Sequence, residues 1–379
     1  MDAAATRPLS LAEMNEGIEK VIAAGPPFSV MPMTVRGVDY PRVFALSNMS
    51  LREVLALKTQ EHKDKTFIVY QDERYTVGEV WARSMRFANW LKDQDVGPGH
   101  RVAIAMRNYP EWCMAYVGII ASGATVVPLN AWWQADELRY GIEKSGAKLV
   151  IADAKRAEML SPCKDEFGLT FIGGREEIPS QDHHMQKIMA DDSISMDMPT
   201  DPIDPDSDYC LLFTSGSTGN PKGALLTHRG VLSAVLSWAF TLEVYNVVRP
   251  EINLSPDNPG ALLSLPLFHV TGLHSIFLLG YLSGRKLVFT YRWDAVEAAA
   301  LVRSEKLTHF VGVPTQAYEL IKAAKPGDLD TLVDIGSGGA KRPEAQVQLQ
   351  RELFPNISAS SGYGLRETNA LGTHIALGD

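Results

Sequence analysis

Cysteine is scarce in this 379-residue chain: there are three, Cys113, Cys163 and Cys210, far apart and each beside apolar residues. That spacing offers neither a disulfide framework nor a zinc-type C-x-x-C pair, so buried free thiols in a reducing compartment are expected. An excess of positive charge is also missing. Lys and Arg number 36 against 45 Asp and Glu, a formal balance of −9, which argues against nucleic acid or an anionic membrane as the main partner. The opening Met-Asp-Ala-Ala-Ala-Thr-Arg-Pro has no apolar core and does not read as a secretory signal, so cytoplasmic residence is the expectation. Unbroken apolar runs are lacking too. Trp112–Leu129 is interrupted by Gly118, Ser122, Gly123, Thr125 and Pro128, and Gly260–Gly284 by Pro266, His269, Thr271, Gly272 and His274. Both read as buried core rather than bilayer spans, with peripheral membrane association left open. His183-His184 has no acidic or cysteine partner at ligand spacing and reads as solvated.

What is present is an alternation. Residues 1–48 read as an irregular arm, broken by Gly25-Pro26-Pro27 and Pro32. From there strands and helices take turns. Helix Leu51–His62 follows the N-cap Ser50, then come strand Thr66–Tyr70, a helix ending near Leu91, strand Arg101–Met106 and helix Pro110–Ser122. Strand Ala124–Pro128, helix Ala135–Ser145 and strand Leu149–Ala152 continue it. The acidic, proline-containing stretch Asp191–Asp208 marks a boundary, after which the pattern resumes from strand Tyr209–Phe213 to strand Thr331–Ile335. This pace predicts an α/β fold with mainly parallel sheets covered on both faces. The expected division is an arm 1–48, a first subdomain 49–200 and a second 201–379.

Directly after strand Tyr209–Phe213 stands Thr214-Ser215-Gly216-Ser217-Thr218-Gly219-Asn220-Pro221-Lys222-Gly223. Four hydroxyls, three glycines and a lysine fall within these ten residues. Glycines let backbone N–H groups turn toward an anion, hydroxyls donate or ligate a metal, and lysine neutralises charge. The loop is not of Walker A type, because Gly223 rather than Ser or Thr follows Lys222. A flexible Ser/Gly connector would not need Pro221-Lys222-Gly223 at fixed positions.

This loop resembles the phosphate-binding signature of adenylate-forming enzymes, in the acyl-CoA synthetase branch. Further blocks in the family's order extend the resemblance: Arg101-Val102-Ala103-Ile104, Asn108-Tyr109-Pro110-Glu111-Trp112, Gly123–Asn130, Leu265–Gly272, Gly338-Gly339-Ala340 and Gly362-Tyr363-Gly364-Leu365-Arg366-Glu367. It implies two stacked subdomains without the family's small β-barrel and mobile C-terminal domain. It further implies ATP-dependent conversion of a carboxylic acid to an acyl adenylate, then thioester formation with coenzyme A. Thr214, Ser215, Gly216, Ser217, Thr218, Gly219 and Lys222 would hold the phosphates, and Ser217 with Glu367 the Mg²⁺. Gly339, Ala340 and Lys341 would flank the adenine, with Ser361, Gly362, Tyr363 and Gly364 beside them and Tyr363 stacked on the ring. His269 would sit by the acyl carboxylate, and Val270, Gly272, Val313 and Gly338 would line the acyl tunnel.

His269 stands where amino-acid-activating members carry an aspartate, so the resemblance implies an acid without an α-amine, fatty or otherwise apolar. Arg366 departs from the family's threonine before the glutamate. Taken singly, Glu367 would be a surface carboxylate, Tyr363 rim packing and His269 a core histidine; the blocks around them give the functional reading. A catalytically impaired or purely nucleotide-binding module of the same fold is the alternative.

Overall fold

The computed structural model describes residues 9–178, 180–214, 219–251 and 254–375. The chain separates into two compact units. One comprises Met49–Arg229 with Pro266–Val270, the other Met1–Asn48, Gly230–Leu265 and Thr271–Asp379. The division thus differs from the expected 1–48, 49–200 and 201–379. The acidic stretch after Asp191 is a surface connection inside one unit, and residues 1–48 group with the late part of the chain.

In the central unit, Met49–Arg229, helices begin where the sequence caps them. Ser50 accepts from the Glu53 N–H while Glu53 reaches back to the Ser50 N–H, and Thr76 with Glu79 repeats this at helix Val77–Asp93. Such a capping box satisfies N–H groups that the helix leaves unpaired. The sheet runs in the order Lys222–Thr227, Asp208–Thr214, Thr125–Pro128, Arg101–Ala105, Leu149–Ala152, Thr170–Gly173, His183–His184. Only the first pair is antiparallel. Val102, Ala103, Ile104, Val126, Val127, Val150 and Ile151 are fully buried, as strands covered on both faces require. Helix Pro110–Ser122 is buried on every side and ends at Gly123 with φ +85°, a left-handed stop that glycine adopts readily.

Glu111, one of the motif residues, is almost fully buried. It accepts from Arg175 at 3.0 Å and from Gln186 at 2.8 Å. Arg175 also pairs with Glu73 and lies 5.2 Å over the rings of Tyr70 and Tyr109. These two carboxylates hold its guanidinium more firmly charged than usual despite partial burial. The three cysteines are buried free thiols, and burial drives Cys113 and Cys210 well above the ordinary thiol range. His183-His184 is not a solvated loop: it forms the edge strand, His184 is buried, and the His183 ring lies 4.8 Å from Trp90.

The other unit begins with a helix, Leu11–Ala23, where irregular chain was expected. Ser10 and Glu13 cap it reciprocally, and Gly25-Pro26 falls just after its end rather than inside it. An antiparallel hairpin, Val30–Val35 with Val38–Phe44, follows. The remaining strands run in the order Thr373–Ile375, Ser358–Tyr363, Asp334–Gly338, His309–Gly312, Gly260–Leu263, Lys286–Phe289. All these neighbours are parallel except the Thr373–Ile375 pair. Helix His228–Val248 is the one described helix long and apolar enough to cross a membrane, although 39% of its apolar window is buried in the protein.

Candidate active site

On the central unit, strands Asp208–Thr214 and Lys222–Thr227 bring Thr214 opposite Lys222 at the mouth of the glycine-rich loop. The Thr214 hydroxyl donates to the Lys222 carbonyl at 3.2 Å, and the Lys222 side chain is exposed. Gly219 has φ +127°, a conformation that only glycine adopts without strain. Ser215, Gly216, Ser217 and Thr218 lie outside the described residues.

The same unit holds Pro266–Val270. The Leu267 N–H donates to Asn108 Oδ1 at 3.0 Å, which anchors this segment to the motif block after strand Arg101–Ala105. His269 is half-buried and its N–H donates to the Pro266 carbonyl. Its ring lies 6.3 Å from Trp132, which meets Phe268 edge-on at 5.3 Å and carries the Arg107 guanidinium at 5.9 Å. The reading of the sequence missed Trp132 and Arg107. Their signal in the sequence was an aromatic pair, Trp132-Trp133, two residues after Asn130; Trp132 is left 54% exposed.

On the other unit, three parallel strands build the floor of a cavity of about 120 Å³. Register places His309, Asp334 and Ser358 side by side, then Val311, Gly336 and Ser360, then Gly338 and Gly362. Alternation along a strand puts these on one face. Space is tight here: a Cβ at Gly336 would crowd Ser360 Oγ at 3.0 Å, and at Gly364 glycine is required, since a Cβ would lie 2.0 Å from the Ala370 carbonyl oxygen. Trp238 and Leu242 of helix His228–Val248 cover the floor. With them stands the segment Thr271–Leu278, wound as a π-helix, a form often met at functional sites.

Of the residues nominated from sequence, Gly338, Gly339, Gly362 and Gly364 line this cavity. Gly272 is buried in the π-helical segment, and Val313 Cγ1 is 3.9 Å from where a Gly339 Cβ would stand. Ser361 points to the opposite face from Ser360 and Gly362. Ala340 and Lys341 are exposed beyond the strand end, and the Tyr363 ring is 62% exposed. Arg366 is half-buried, and burial lowers its pKa against the opposing pull of Glu367, which is itself exposed. Among the described residues no three His, Cys, Asp or Glu side chains cluster as a metal site. His269, Val270, Thr214, Gly219 and Lys222 thus sit on one unit, and the remaining described nominees on the other.

The cavity also holds charge that the sequence reading did not foresee. Arg285, 6% exposed, and His309, 5% exposed, line it with Asp334. Burial lowers the Arg285 pKa to about 10 and raises that of Asp334 to about 6, although the Ser360 hydroxyl donates to Asp334 Oδ2 at 2.8 Å. His309 is held neutral by burial and by Arg285 nearby. Its Nε2 bonds the Leu254 carbonyl at 3.1 Å and its Nδ1 the Thr308 hydroxyl at 2.8 Å.

Known proteins match over most of the chain. The profile of the AMP-binding enzyme family covers residues 55–379. 4-Coumarate-CoA ligase 1 of Narcissus pseudonarcissus is 24% identical over 331 residues, 86% of this chain and 59% of that protein. The long-chain-fatty-acid–CoA ligase FadD13 of Mycobacterium tuberculosis is 29% identical over 304 residues, 80% of this chain and 57% of that protein. The chain therefore spans little more than half the length of these relatives. In fold it resembles the crystal structure of the N-terminal domain of FACL13 from Mycobacterium tuberculosis, with a TM-score of 0.72 and 24% identity, covering 86% of this chain and 79% of that one. With a profile match over residues 55–379, the chain belongs to the AMP-binding enzyme family.

Proposed function

We propose that this protein takes part in ATP-dependent activation of a carboxylic acid, forming an acyl adenylate and pyrophosphate, with coenzyme A as the thiol that accepts the acyl group. The observation that carries this reading is the cavity floored by Gly336, Gly338 and Gly362, which leaves room for an organic acid beside the Gly338–Gly364 stretch. In this reading Thr214, Gly219 and Lys222, with the loop residues between them, bind the ATP phosphates. Negative charge grows on phosphate oxygens as the carboxylate attacks the α-phosphate, and a positioned lysine stabilises it. Tyr363 offers an open ring face to the adenine. Glu367, exposed at the surface, suits a largely hydrated Mg²⁺, whose charge would neutralise the polyphosphate. His269, half-buried against Trp132 and Phe268, is assigned to the carboxylate and thiol end of the acid.

The test is acid-dependent exchange of pyrophosphate into ATP. The reading predicts exchange with an amine-free acid, lost on Lys222→Ala. No exchange with any acid in a broad panel would favour the second reading, a nucleotide-binding module without chemistry. Arg366, half-buried where the family resemblance places a threonine, is the residue that favours it. Arg366→Thr is expected to change the exchange rate; an unchanged rate removes Arg366 from the site.

A further inference from the structure

The cavity does not end on apolar side chains. Asp334 lies four residues before Gly338 on one strand, so the charged end is about 13 Å from the glycine end. Arg285 precedes strand Lys286–Phe289, and His309 stands opposite Asp334. Both ring nitrogens of His309 are already bonded. Arg285 and Asp334 are different. Among the described residues Arg285 Nε and Asp334 Oδ1 are enclosed without a hydrogen-bond partner; the Ser360 and Ser358 hydroxyls and the Arg342 charge also act on Asp334, while Asp334 and Arg285 feel each other's charge without forming an ion pair. A buried guanidinium and a half-buried carboxylate with one enclosed oxygen, left in this state, are costly unless something completes them.

The chemistry of the gap restricts what could complete it. Arginine only donates and an ionised carboxylate only accepts. A bridging group must therefore accept from one and donate to the other. A hydroxyl does both and leaves the charge balance untouched. A second carboxylate would accept from Arg285 but repel Asp334, and an alkyl end would satisfy neither.

We propose that the acid bound here carries a hydroxyl at the end remote from its carboxyl group, held between Arg285 and Asp334, and that these two residues set specificity. This rests on the acid-activating function proposed above and replaces its wholly apolar acid with a hydroxylated one. Binding sites built to hydrogen-bond a substrate hydroxyl reject the analogue that lacks it, because their own polar groups are then left unpaired.

Calorimetric titration of the chain with decanoic, 10-hydroxydecanoic and decanedioic acids tests this at matched length. The hydroxy acid is expected to bind at least about tenfold more tightly than decanoic acid. Arg285→Met and Asp334→Ala should each bring the two within about twofold, with decanoic acid bound no more weakly than before. Circular dichroism checks both variants, and Asp334→Ala decides alone should Arg285→Met not fold. Equal or tighter binding of decanoic acid by the unaltered protein overturns the proposal. So does a preference for decanedioic acid, which would assign Arg285 to a second carboxylate. Binding of no acid at all overturns the acid-activating reading itself, and is thereby distinguishable from failure of the hydroxyl alone.

Discussion

The two sheets are built on the same parallel plan but filled differently. In the central unit, strands Arg101–Ala105, Thr125–Pro128 and Leu149–Ala152 present valine, isoleucine and alanine to both faces, and the space is closed. In the other unit, strands His309–Gly312, Asp334–Gly338 and Ser358–Tyr363 present glycine, serine, histidine and aspartate to one face, and the space stays open. The open space here comes from removing side chains from a sheet rather than from adding a loop. The same removal brings polar groups into a low-dielectric wall, where each needs a partner.

The contrast can be broken first by truncation. Ile104→Ala in the closed sheet is expected to cost about 2–5 kcal/mol, read from chemical denaturation. Val311→Ala on the cavity floor should cost less than half of that, about 1 kcal/mol, because it borders space that already exists. Equal losses would mean that the two sheets do not differ in packing. Filling the cavity is the converse test. At Gly338 a Cβ would lie 3.3 Å from the Gly362 carbonyl oxygen, so the backbone tolerates a side chain with small adjustment. Gly338→Val should lower acid affinity about tenfold or more while changing stability by only about 1–2 kcal/mol.

Charge sharpens the comparison through pH. His228 in the central unit accepts from the Leu51 N–H, and burial followed by Arg52 lowers its pKa to about 4. Its folded pKa is depressed, so its stabilising contribution is present above about pH 6.5 and is lost as pH falls toward 4. Asp334 has the opposite sign. Its folded pKa is raised to about 6, so the ionised form burdens the fold above that pH and the burden lifts as pH falls through it. Asp334→Asn should therefore raise the melting temperature at pH 8, by an amount corresponding to about 1 kcal/mol, with the gain shrinking below about pH 6 and gone a little below about pH 4. A gain independent of pH would show that ionisation of Asp334 is not its cause. The smallest effect is local: Ser50→Ala removes one half of a capping box and should cost about 1 kcal/mol.

Local structure was legible where it depends on neighbours in sequence. Helices Leu51–His62 and Pro110–Ser122 and strand Thr66–Tyr70 lie where caps, breakers and apolar periods put them. Helix Leu11–Ala23 was missed because the breakers after it outweighed the Ser10–Glu13 cap before it. The strand expected at Thr331–Ile335 is shifted to Asp334–Gly338, since Gly336 and Gly338 read as turn residues when they are in fact cavity floor. Helix His228–Val248 runs through residues too evenly apolar to show a period. Of the cavity lining, Gly338, Gly362 and Gly364 stand in family blocks of the sequence. Arg285 and Asp334 do not; they meet only through strand order across 48 intervening residues, and no local pattern records that meeting.

The most direct measurement is calorimetric titration of Mg·ATP into the unaltered protein and into Lys222→Ala. Saturable one-site binding is expected, weakened about tenfold or more by Lys222→Ala through loss of a charge-assisted phosphate contact. No binding by the unaltered protein, or the same affinity in both, would contradict it.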